Sequence, residues 1–108
     1  MSLDTYHAVV DDIDPDAGVI ESAELVVTDD VLVKVFVLGP GAELDPHDHS
    51  DATNVFHLLE GAPTVIRDDE TEQLAAPAVV LHERGAVHGA RNETNDRVVF
   101  TASLCPLP

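Results

Sequence analysis

"GAELDPHDHSDATNVFHLLEG", residues 41–61, sets His47 and His49 two positions apart and closes on a glycine turn at Gly61. In an extended backbone, residues i and i+2 point to the same face, so an extended segment here makes the two imidazoles converge. Neutral imidazoles suit zinc, copper, iron or nickel, and catalytic metal sites commonly keep three protein ligands and an open position. A third ligand must come from elsewhere. His88, in "ERGAVHGARN" (83–92), follows a turn at what reads as the start of a strand. By itself an H-x-H pair with a distant histidine is a common surface feature and does not establish a metal site.

Outward from this stretch the rhythm is that of a β protein. Apolar, β-branched-rich runs recur at 23–28, 31–38, 54–60, 63–67, 78–81 and 97–104, separated by turn signals such as Gly39-Pro40-Gly41, Asp68-Asp69-Glu70 and Gly85. Short strands punctuated about every ten residues predict a sandwich or barrel. No segment sustains a helical period over three turns, with weak helical patterns only near 15–24. "VDDIDPDAG" (10–18) lacks the ligand spacing and closing glutamate of a calcium loop and reads as a solvated acidic loop. "DDETE" (68–72) reads as a hairpin turn between two strands.

A chain of 108 residues fits one domain, 1–108, that buries roughly 60 to 70% of its unfolded surface. The net charge of −16 comes from 21 acidic residues, 13 of them aspartate, against one lysine and four arginines. With 44% hydrophobic residues, disorder from low hydrophobicity is not expected. So acidic a surface repels phosphate backbones and anionic headgroups, which excludes nucleic acid and membrane surfaces as partners. It suggests a chain built for high salt, from an extreme halophile, where repulsion is screened. Cys105 is the single cysteine, so neither an intramolecular disulfide nor a cysteine zinc cluster is available. No basic leader followed by an apolar run opens the sequence. Neither a signal peptide nor a membrane span is expected, and the cytoplasm is the default location.

The spacing around the histidines resembles that of the cupin family. Its first motif, G-x5-H-x-H-x(3,4)-E-x6-G, is met by Gly41, His47, His49 and Gly61. Its second, G-x5-P-x-G-x2-H-x3-N, is met over residues 77–92 by Gly85, His88 and Asn92. The resemblance implies an all-β fold, an antiparallel double-stranded β-helix or jelly-roll barrel of six to eight strands. It implies His47, His49 and His88 as ligands of a divalent transition metal: iron, nickel, manganese, copper or zinc. Strand alternation agrees, with Asn54, Phe56 and Leu58 on an inward face and His57 outward.

Three positions depart from the family's pattern. The glutamate ligand is replaced by Asn54, the first glycine of the second motif by Pro77, and its proline by Glu83. The last two sit at turns and edges. The first alters the site, because an amide offers a neutral carbonyl oxygen and an NH2 donor where a carboxylate offers a charge. Asn54 is read as a weak ligand, a partner of a bound water, or a filler of space. Some cupin dioxygenases similarly use three histidines around iron. The resemblance permits a metal-dependent oxygenase or isomerase acting on a small anionic substrate. The alternative is a non-catalytic module that senses or carries a small ligand or metal; loss of the carboxylate is also compatible with an empty site.

The remaining candidates are weaker. His82 is expected to be a partly exposed histidine at a strand end, and His7 a surface residue. Asp48 is sent away from the site by alternation, and Ser50 has no base that is not already a metal ligand. Arg84 and Arg91 are expected to pair with surplus surface acids rather than meet a substrate at the rim. By resemblance to small cupins, a homodimer is expected.

Overall fold

The computed structural model describes residues 3–108. Its strands are β1 (Ile20–Val27), β2 (Leu32–Leu38), β3 (Glu43–His47), β4 (Thr53–Glu60), β5 (Thr64–Arg67), β6 (Glu70–Gln73), β7 (Ala78–His82), β8 (His88–Arg91) and β9 (Val98–Cys105). One short helix, α1 (Thr5–Val10), precedes them. A five-stranded sheet in the order β1-β2-β9-β4-β7 faces a four-stranded sheet in the order β3-β8-β5-β6, and every pairing is antiparallel. This is the all-β double-stranded β-helix expected from the sequence, with nine strands among the described residues rather than six to eight.

The strand sequences follow their places in the sheets. β9 is the central strand of the larger sheet, and its run "VVFTASLC" is buried on both faces almost throughout. Such a strand needs no alternation, and the sequence carries none. β4 alternates: Asn54, Phe56 and Leu58 are buried while His57 is exposed. Between the sheets, Phe56, Phe100, Leu38, Leu58, Val65 and Val98 form the main core. Phe100 stacks on Phe36 at 5.3 Å and packs against Phe56 at 4.8 Å. Phe56→Ala is expected to destabilise the fold by about 3–5 kcal/mol, through lost burial plus a residual cavity. Urea unfolding with an unchanged slope and a lowered midpoint would register it; an unchanged midpoint would place the core elsewhere.

A second apolar cluster lies on the outer face of the larger sheet, where Val35, Val37 and Val99 meet Val10, Tyr6 and Ile13 of the N-terminal segment. Arg97 fastens that segment, donating to the carbonyls of Val10 and Ile13 and to the Glu60 carboxylate. The helix is thus at 5–10, capped by Asp4, and the weak helical pattern near 15–24 is instead the lead into β1 and the first part of β1 itself. Six residues form less than two turns, too few for a readable period. Among the described residues no helix is long and apolar enough to cross a membrane.

Candidate metal centre

His47 ends β3 and His88 begins β8, and the two are register partners across the β3–β8 ladder. That ladder is unusually close, because a side chain on Gly89 would meet the Leu44 carbonyl at 2.5 Å. Glycine is therefore needed directly after the third histidine. His49 lies just beyond β3, where its carbonyl accepts a 3.0 Å hydrogen bond from the Gly85 amide. Gly85 takes a φ of +83°, open to glycine at no steric cost, and so the second motif's turn pins the first motif's second histidine. Asn92 joins the motifs again. Its amide nitrogen donates to the Leu38 carbonyl and its backbone exchanges hydrogen bonds with Gly41 and Ala42.

These constraints bring the three predicted histidines together. One ring nitrogen from each of His47, His49 and His88 lies within 4.8 Å of the other two. Ring centroids are 4.7 Å apart for His47 and His88 and 5.1 Å for His47 and His49. His47 donates its Nδ1–H to the Asp45 carbonyl at 2.8 Å, and His88 donates its own to the Ala86 carbonyl at 2.9 Å. Both bonds select the tautomer whose basic nitrogen is Nε2, the atom a cation would take. Burial pushes the pKa of His49 down, helped by His47; burial also lowers His88, against the Ala86 hydrogen bond, with His47 and His49 adding to the effect. Neutral rings are the ligand-ready form.

Asn54 is buried, and its Nδ2 donates to His88 Nε2 at 2.8 Å, leaving Oδ1 without a hydrogen-bond partner. Two cis ligands with bonds near 2.1 Å stand about 3 Å apart, so the amide head sits at ligand separation from His88. A half-turn of that head exchanges Oδ1 for Nδ2 and gives the orphaned oxygen a cation to meet. The donor set therefore fits a divalent metal: three imidazoles and one neutral oxygen.

His82 differs from its sequence expectation. It is fully buried rather than partly exposed, pairs with Asn54 across the β4–β7 ladder, and stacks on His88 at 4.6 Å. Neither of its ring nitrogens has a hydrogen-bond partner, and burial, with the His88 charge, lowers its pKa to about 4. The signal lay in β7, where counting inward residues from Ala78 through Val80 arrives at His82. Exposed Val79 and Leu81 on the opposite face obscured that parity. His57, Asp48 and His7 are exposed as expected. Arg91 approaches Glu93 at 3.6 Å, whereas exposed Arg84 forms no ion pair among the described residues, because no acid comes within reach of it.

A cavity of about 260 Å³ opens beside the histidines, walled by Leu32, Lys34, Phe36, Leu44, Leu104 and the rings of His47 and His49. Lys34 was not singled out from the sequence, although it is the only lysine in the chain.

Comparison with known proteins agrees with this architecture. A family model described as Cupin domain matches residues 34–104. No curated protein matches the sequence. Among solved structures, a Thermus thermophilus protein is similar at 26% identity and a TM-score of 0.78, covering 82% of this chain and 85% of its own. A conserved Klebsiella pneumoniae protein with a double-stranded β-helix domain has 23% identity and a TM-score of 0.80, covering 87% and 83%. A Thermotoga maritima protein described as a predicted oxalate decarboxylase has 22% identity and a TM-score of 0.76, covering 82% and 81%.

Proposed function

This chain belongs to the cupin family, and on that footing we propose that it holds one divalent transition metal through His47, His49 and His88 to bind and act on a small anionic, chelating substrate. The carrying observation is that one ring nitrogen from each of the three histidines lies within 4.8 Å of the other two, with Nδ1–H bonds to the Asp45 and Ala86 carbonyls leaving Nε2 as the basic nitrogen of His47 and His88. A bound ion would supply Lewis acidity and open positions on which a substrate is templated. His47, His49 and His88 contribute no charge, and Asn54 contributes none where the family's pattern has a carboxylate. The full positive charge is then left to an anionic ligand, which favours carboxylates and enolates over neutral molecules. Iron, nickel, copper and zinc match this nitrogen-rich set better than manganese.

The function is read as that of an oxygenase or isomerase. The second reading is a non-catalytic carrier or sensor, favoured by a cavity wall that is mostly apolar, where Leu32, Phe36, Leu44 and Leu104 outnumber Lys34 and the two histidines. Cobalt(II)-loaded protein titrated with small 2-oxo and 2-hydroxy carboxylates tests the binding half. The visible cobalt bands should shift on saturation; bands indifferent to every acid would mean the positions are closed. Conversion of a bound acid by the iron- or nickel-loaded protein then separates enzyme from carrier.

A further inference from the structure

Lys34 occupies a place that the metal centre alone does not explain. It lies on β2 two residues before Phe36, so both side chains share a face. Phe36 packs toward the main core, and the Lys34 ammonium lies 5.3 Å from the centroid of its ring. Its neighbour on β9 is Ala102, whose small side chain leaves room for it on the cavity wall. In a chain with 21 acids, this one lysine forms no ion pair among the described residues. Glu24 stands opposite on β1 but is exposed to solvent. A cation spared from so acidic a surface, kept against an aromatic ring and turned to a cavity that also presents two imidazoles, is arranged for an anion inside that cavity.

We propose that Lys34 is the specificity-determining residue of this cavity, receiving a carboxylate of the ligand whose other end lies at His47 and His49. The proposal rests on the metal-dependent reading above and narrows its substrate class. The preferred ligand carries a chelating head, a short apolar body against Leu32, Phe36 and Leu104, and a second carboxylate a few carbons away. A volume of about 260 Å³ falls below the roughly 300–1,000 Å³ of pockets for drug-sized molecules, which suits a body of few carbons. Leu32, Phe36 and Leu104 flank Lys34, so a ligand seated against them would itself displace water from a charge-assisted hydrogen bond there.

Two acids of equal length test this: 2-oxopentanedioate, with the second carboxylate, and 2-oxopentanoate, without it. Cobalt-loaded protein should bind the diacid about ten-fold or more tightly than the monoacid, the worth of one hydrogen bond between charged groups. Lys34→Met should remove that preference with cobalt uptake unchanged, and Lys34→Arg should retain most of it. A wild-type protein that does not discriminate, or a Lys34→Met variant that still does, overturns the proposal while leaving the metal centre standing. If no cobalt binds at all, the metal-dependent reading fails and metal-free protein decides the role of Lys34. The single lysine gives one side-chain signal in protein labelled with ¹⁵N-lysine. A saturable shift of that signal with pentanedioate, absent with pentanamide, supports the proposal; an unmoved signal overturns it.

Discussion

His47→Ala is expected to lower metal affinity more than about 100-fold, beyond what the loss of an outer-shell partner costs, with little harm to the fold. His47 is only half-buried at the end of an edge strand, whereas His88 is buried between the sheets. Truncating His47 therefore removes a ligand without opening a cavity in the core. Two imidazoles and an amide oxygen do not compensate, because the remaining oxygen is a neutral and weak donor. Elemental analysis of tag-free wild-type protein should give close to one equivalent of metal, and the variant close to none. Equal metal in both proteins, or none in either after reconstitution under reducing conditions, would remove the three-histidine site. Acid should release the ion as well. Since His49 and His88 are held below the ordinary histidine range of 6.5, protons compete for them only at correspondingly lower pH.

His82→Leu is expected to stabilise the metal-free protein toward acid. The folded-state pKa of His82 is about 4 against 6.5 for the free side chain, with burial as the leading cause. The sign follows from where the proton goes. Above pH 6.5 the imidazole is neutral in both states and no penalty arises. As pH falls from 6.5 toward 4, the unfolded chain takes up a proton that the folded chain refuses, and stability declines. At about 1.4 kcal/mol per pH unit over that window, the loss amounts to about 3 kcal/mol. Leucine, of similar volume, refuses nothing and leaves no orphaned nitrogens. Urea midpoints measured from pH 7.5 to 4 should diverge in favour of the variant below pH 6.5, the titrating carboxylates cancelling between the two proteins. Parallel profiles would mean that His82 reaches water or a partner in solution.

His47 and His82 mark the limits of what the sequence makes legible. His47 was legible because its spacing from His49, Gly41 and Gly61 follows a turn–strand–turn of set length, with both glycines at positive φ. Asn54 was placed inward correctly because β4 has one buried face and one exposed face, so alternation carries information. His82 was not, because β7 is apolar on both faces while only one is buried. The unread strands share a physical cause. β3 and β6 are edge strands: "ELDPH" tolerates proline because an edge need not donate on its outer side, and "ETEQ" is exposed throughout. β8, "HGAR", was legible only as a strand start at His88, because Gly89 and Ala90, which let it lie close to β3, give no apolar run. Lys34 is not legible in this way, because a cation turned to a cavity looks, in sequence, like any solvated lysine.

The two hydrogen bonds that hold His47 and His88 end on backbone carbonyls of residues two positions back, Asp45 and Ala86. Posture is thereby delegated to the main chain, whose carbonyls are present whatever the side chains at 45 and 86 are. Neighbouring positions can mutate without rotating the rings. Substitutions along the cavity walls are accordingly expected to leave both rings in place, whereas residue 54, bonded to His88 Nε2, sets what an ion would meet there. The chemistry offered to an ion can thus be varied apart from the backbone geometry that would receive it.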